Sequence, residues 1–219
     1  MPVITKRLLV FTLVATIPLS VSTLLAEQTN TVHAHIGHVM DGFRSTPDGQ
    51  GLLPTAIAEA KIAAQHAALV AGSADNLDGM KRHAGHVLHA VDPSEISSGP
   101  GLGFGVKPAA VGASRHIRMA ADSEGASGNV TTHTQHVETS VNNTVKRADE
   151  LIALAKAIQE ATTVASAATA AERLNTLAAH LISGHDANGD GRIGWQENEG
   201  GLQQAEQHAN IMKKGESLP

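Results

Sequence analysis

Six stretches of this chain, 31–43, 54–71, 77–91, 107–122, 129–163 and 166–184, carry apolar residues at three- and four-residue spacing in a background of Ala, Leu, Glu, Gln and Lys. That spacing puts the apolar side chains on one stripe of a helix, so the pattern predicts amphipathic helices. No alternating run persists long enough to propose a sheet. Turn-rich segments separate the helical ones: Ser45 to Gly51, Asp92 to Gly105 and Asp122 to Gly128. Pro54 and Pro108 stand near helix starts, where a missing N–H is harmless. The stretch 129–163 is the longest and reads as the spine, with Arg147, Asp149 and Glu150 on a wet face and Leu151, Ile152, Leu154, Ala155 and Ile158 on a dry one. The fold class expected is all-α, an elongated helical bundle.

Composition narrows what the bundle can do. With no Cys, disulfides, thiolate metal sites and covalently attached c-type haem are excluded. The net charge of −5, without a basic cluster, gives no electrostatic footprint for nucleic acid. No nucleophile elbow, Walker loop, H-E-x-x-H or paired E-x-x-H pattern is present, so no catalytic residue is assigned and the chain reads as a non-enzyme unless a bound haem or metal supplies redox chemistry. Gly99 to Gly105 is glycine-rich. It lacks the preceding strand and the G-K-S ending of a phosphate loop, and reads as a connector.

Histidine is the residue in excess: there are 13, all beyond the first 26 residues. Three copies of H-x-x-H-V, at His35/His38, His83/His86 and His133/His136, recur about every 50 residues. A second element, A-x-Q/R-H, alternates with them at His66, His116 and His208. On a helix, residues three apart share a face, so each pair can aim two imidazoles at one volume, with a further ligand from the partner helix carrying His66, His116 or His208. Imidazole suits Zn, Cu, Ni and Fe alike. Haem b is the other cofactor the pattern admits, with Gly37 and Gly85 leaving room for a flat ring. The bland alternative is a scaffold whose histidines only pack or solvate. His33, His89, His180 and His185 fit the repeat less well and are expected to face solvent or sit at helix ends.

Near the C-terminus, Asp186-Ala-Asn-Gly-Asp-Gly-Arg-Ile-Gly-Trp-Gln-Glu197 spaces short oxygen-bearing side chains at alternate positions around a glycine, as a hard cation with six to eight oxygen ligands requires. Gly191 permits the sharp turn and Ile193 is expected to pack against a neighbour. The twelve residues resemble the loop of the EF-hand family, D-x-N-x-D-G followed by five residues and Glu. The resemblance implies calcium ligands at Asp186, Asn188, Asp190, Arg192 (through its carbonyl) and Glu197, with Gly194 leaving one position to water. EF-hands usually come in pairs, and no second loop of this pattern exists here. Gly200-Gly201 also interrupts the segment that should exit as a helix.

The N-terminus has Lys6-Arg7 followed by an apolar run from Leu8 to Ala26, the shape of a secretory signal. The division expected is therefore a leader at 1–26, a His-rich helical repeat bundle at 27–164, and a helix–calcium loop–helix segment at 165–219. The address expected is periplasmic or secreted, with no membrane span after cleavage. The function expected is calcium binding by a single EF-hand loop, structural or regulatory, with calcium fixing the last helix so that His208 docks on the bundle. The alternatives are transition-metal or haem b binding with electron transfer, and a non-catalytic scaffold. Nothing in the sequence names a protein partner.

Overall fold

The structure, a computed structural model, describes the backbone of residues 21–219 and the side chains from residue 31 onward. The expected leader therefore lies almost wholly outside the described residues. Among the described residues seven α-helices account for the fold: α1 (Val21–Met40), α2 (Leu52–Gly72), α3 (Leu77–Val91), α4 (Val106–Asp122), α5 (Gly128–Glu160), α6 (Val164–Ser183) and α7 (Leu202–Gly215). Among the described residues the only β feature is an isolated bridge between Gly42 and Gln50. No described helix is long and apolar enough to cross a membrane.

Local chemistry explains where the helices start and stop. Asn76 accepts the Gly79 N–H at 2.9 Å to start α3, and Ser127 accepts the Val130 N–H at 3.1 Å to start α5. Thr163 and Ser166 form a reciprocal capping box at the head of α6. Each satisfies donors that a helix start otherwise leaves unpaired. At the other end of α6, Gly184 takes φ +74°, and a Cβ there would stand 2.5 Å from the Glu199 carbonyl oxygen. Only glycine fits this reversal.

The spine expected at 129–163 is α5, which packs on α3, α4, α6 and α7, while α2 packs on α3, α4 and α6, and α1 on α4. The helices thus fold back on one another into a compact bundle instead of running out as a row of repeats. The core is built mostly from small residues: Ala56, Ala60, Ala63 and Ala67 on α2 and Ala109, Ala110, Ala113 and Ala120 on α4 are all fully buried. Small side chains bring helix axes close together, and this is how a chain with almost no aromatic residues fills its interior.

Two buried charges correct the sequence reading. Arg147 does not lie on a wet face. It is 8% exposed, and its guanidinium donates at 2.7 Å to the carbonyl oxygens of Asn198, Glu199 and Gly200, tying the segment before α7 to the spine. Glu59, fully buried on α2, accepts the N–H groups of Leu102, Phe104 and Gly105 at 2.9–3.1 Å. The glycine-rich connector does cradle an anion through its backbone, and the anion is the chain's own carboxylate.

Candidate metal centres

The H-x-x-H-V motif is legible residue by residue. The valines that close it, Val39, Val87 and Val137, are fully buried, as are Ala63, Ala113 and Ala205, which open the A-x-Q/R-H element. Three residues before each pair stand Val32, Met80 and Val130, also in the core. These positions draw a buried stripe down each helix, and the paired histidines sit on its border. Their rings are held by packing on one side and reach a shared volume on the other.

Each pair meets one histidine from another helix, making three groups: His35, His38 and His116 between α1 and α4; His66, His83 and His86 between α2 and α3; His133, His136 and His208 between α5 and α7. In each group the candidate ligand nitrogens lie within 4.8 Å of one another. The pairing does not follow chain order. His35 and His38 skip His66 and join His116.

The three groups share one geometry. Within each pair the ring centroids are 5.9, 5.5 and 5.6 Å apart at interplanar angles of 72°, 80° and 84°. From the first ring of the pair to the third histidine the values are 5.3, 5.4 and 5.3 Å at 39°, 23° and 33°. From the second ring they are 4.8, 4.6 and 4.4 Å at 77°, 79° and 67°. The contacts are made through Nδ1: 3.0 Å for His35–His116, 3.1 and 3.3 Å for His66 with His83 and His86, and 3.1 and 3.2 Å for His208 with His133 and His136. The Nδ1 of His38 is buried with no hydrogen-bond partner.

Hydrogen bonding alone satisfies such a cluster poorly. A neutral imidazole nitrogen carries either one proton or one lone pair, so a nitrogen facing two others cannot both donate to one and accept from the other. Adding protons does not help. Burial, the largest cause in each case, holds His35, His66, His83, His86, His116 and His136 below the ordinary 6.5. Burial, with the charges of His136 and His133 beside it, pushes His208 down to about 4. A cation that takes one lone pair from each ring resolves the conflict. Four-coordinate zinc bonds of 2.0–2.1 Å place neighbouring ligand nitrogens about 3.3 Å apart, close to the separations found here.

The centres differ in what surrounds them. The Phe43 ring lies edge-on to His38 and His116, at 5.6 and 5.2 Å. Trp195 stacks on His136 at 4.0 Å and 25°. Among the described residues no Phe or Trp ring lies against the second centre. Neither aromatic contact was read from the sequence. Their scarcity was a usable signal, since a chain with so few aromatic residues places two of them beside histidines. Of the histidines outside the motif, His180 and His185 stack on each other at 4.9 Å. His89 is in the last turn of α3 as expected but does not face solvent: it is 8% exposed, with Nδ1 at 3.2 Å from the Pro100 carbonyl oxygen.

The acidic loop is arranged differently. Asp186 accepts the N–H groups of Gly189 and Gly191 at 2.8 Å, Asn188 that of Asp190 at 2.8 Å, and Asp190 that of Arg192 at 2.9 Å. Gly189 and Gly191 take φ of +78° and +81°. Glu197, the expected closing ligand, turns away to Lys146 Nζ at 2.8 Å, and the Gly194 N–H donates at 3.0 Å to Glu199 instead. Ile193 is 39% exposed, and its Cγ2 packs against Gly184, 2.7 Å from where a Cβ there would stand. Among the described residues the carboxylates of Asp186, Asp190 and Glu197 do not form a converging group as the histidines do. No helix leaves the loop directly, since α7 begins only at Leu202, past Gly200-Gly201.

Comparison with known proteins adds no identity: no family model matches the chain, and searches of curated proteins and of solved structures return no match.

Proposed function

We propose that this protein binds transition-metal ions, up to three per chain, each on a triad of neutral imidazoles: His35/His38/His116, His66/His83/His86 and His133/His136/His208. The observation that carries the reading is the threefold recurrence of one ring arrangement, with Nδ1 atoms 3.0–3.3 Å apart, on three different pairs of helices. Nitrogen-only ligation favours Zn(II), Co(II), Ni(II) or Cu(II) over Mg or Ca. It also favours a bare ion over haem b. A haem holds its axial imidazoles on opposite faces of a flat ring, each a full iron–nitrogen bond away, and nitrogens this close leave no space for the macrocycle. Among the described residues no carboxylate joins any of the three triads, and three like all-imidazole sites suit storage, buffering or delivery of metal better than catalysis.

Calcium at Asp186, Asn188, Asp190, Arg192 and Glu197 is a second, separate proposal. It is favoured by the inward-turned side chains of positions 186, 188 and 190 and by the positive φ of Gly191. It requires Glu197 to leave Lys146.

The test is elemental analysis and an absorption spectrum of the untagged protein purified from its native host without chelator, beside His66→Ala, His116→Ala and His208→Ala variants. About three transition-metal ions per chain, falling by one in each variant, is the expected result. A metal content unchanged by all three substitutions, or a Soret band, overturns it.

A further inference from the structure

The second centre differs from the other two in lacking an aromatic cover, and a cavity of about 280 Å³ opens against it, lined by Lys81, Arg82, Gly85, His86, Ile96, Ser98 and Gln159. No Asp or Glu lines that cavity. Among the described residues neither Lys81 nor Arg82 takes part in an ion pair, whereas Lys107, Lys146, Lys156 and Lys213 all do. Arg82 precedes His83 directly, and its charge acts on both His83 and His86.

The electrostatics of this corner are unbalanced once a metal is present. A divalent ion held by three neutral imidazoles keeps its full charge, and two unneutralised side-chain cations stand beside it. Like charges gathered in one corner repel, and an anion bound between them relieves the repulsion. A three-histidine site also leaves a tetrahedral ion one position short. At the first and third centres Phe43 and Trp195 crowd the rings. At the second, polar groups with hydrogen-bonding capacity line the approach: the Ser98 hydroxyl and the side-chain amide of Gln159, whose Nε2 already donates to the Lys81 carbonyl oxygen at 2.5 Å.

We propose that the second centre takes a small oxygen-donor anion, of the carbonate, carboxylate or phosphate class, as the fourth ligand of its metal ion, with Lys81 and Arg82 holding the anion's outer oxygens in the adjoining cavity. The proposal rests on the tri-histidine reading above and makes this centre the one that handles a ligand, while the two aromatic-covered centres only hold metal.

The experiment uses the full chain loaded with Co(II), whose visible bands report coordination number, in buffer free of coordinating anions. Bicarbonate, inorganic phosphate and acetate are titrated separately. The expected result is that about one third of the cobalt signal responds, and that His66→Ala removes the responding third. In Lys81→Gln/Arg82→Gln the anion midpoint rises by about fivefold or more while cobalt binds the second centre more tightly, because the substitutions remove both the attraction for the anion and the repulsion of the metal. Opposite movements of the two affinities separate this role from a structural one, which would weaken both. A silent spectrum, an equal response from all three centres, or an unchanged midpoint in the double variant overturns the proposal while leaving the tri-histidine reading intact. Failure to bind cobalt at all overturns both.

Discussion

The histidine centres and the acidic loop each hold several candidate ligand atoms, and they arrange them by opposite means. In the centres each ring hangs from a helix whose buried stripe fixes its position, and the nitrogens converge. In the loop the side chains of Asp186, Asn188 and Asp190 are spent on backbone N–H groups within the loop, and Glu197 is paired with Lys146. The difference teaches where preorganisation comes from. A helix provides it through i, i+3 spacing and core packing, whereas a loop of this composition has to be reorganised by its ligand.

The largest effect expected from that difference is on stability. Saturating one preformed site at a hundred times its dissociation constant contributes about 2.7 kcal/mol, which for a chain of this size is roughly 5–10 °C in Tm. Zinc should therefore raise Tm strongly and chelation should lower it, with His208→Ala, His116→Ala and His66→Ala each removing a share. Calcorimetric scans with and without zinc check this. Equal Tm values would mean that the rings do not act as sites, and the contrast with the loop would collapse.

Next in size is Arg147→Met. Removing the guanidinium leaves the carbonyl oxygens of Asn198, Glu199 and Gly200 without their donors, at about 2–4 kcal/mol given the cost of unsatisfied buried groups. Proteolysis should then cut between 184 and 201 while cobalt still fills the first and second centres. Loss of all three centres together would show that the loop region and the bundle are one cooperative unit.

Acid gives a smaller, graded effect. The folded pKa of His208 is depressed to about 4 from 6.5, and burial lowers the other ring values named above. Between those limits the unfolded chain binds more protons than the folded one, so the stability contributed by these neutral rings is fully present above pH 6.5 and is lost as pH falls toward 4. Denaturant midpoints of the metal-free protein should fall across that window. The same depression means that protons compete with metal less than they would in a free peptide, so cobalt should stay bound at pH 5.5 where a peptide carrying only H-x-x-H has lost it. A flat stability profile from pH 7 to 4 would contradict the burial that produces the shifts.

What could be read in the sequence follows the same division. The limits of the middle helices were legible to within a few residues, as with 54–71 against Leu52–Gly72, because local spacing and caps set them, whereas α1 begins at Val21, ten residues before the expected 31, and the limits of α7 were not given by spacing. The motif histidines were legible because repetition and i, i+3 spacing are local too. Which third histidine joins which pair was not, since His116 reaches His35 and His38 only through the packing of α1 on α4. Glu59 left a signal that went unused. A lone carboxylate on a helix face otherwise made of Ala56, Ala60 and Ala63 must be paired, and no sequence rule says with what. Arg147 misled for the complementary reason: a charge beside Asp149 and Glu150 reads as solvent-facing unless one knows that three carbonyl oxygens converge on it.

The smallest expected effect concerns the loop itself, and the single tryptophan makes it measurable. Trp195 stands two residues before Glu197 and stacks on His136 of the third centre. If calcium draws Glu197 from Lys146 into the loop, Trp195 has to shift with it, so calcium should change the tryptophan emission of the wild type and leave that of Asp186→Ala unchanged. Lys146 holds Glu197 below the usual carboxylate range and so competes with the ion. Lys146→Ala should tighten calcium binding only a few-fold, because an exposed ion pair is weak and salt-screened. An emission change of equal size in Asp186→Ala would place the calcium elsewhere. Tighter binding without any change in emission would mean that Glu197 swings without carrying Trp195, leaving the loop and the third centre as neighbours that do not communicate.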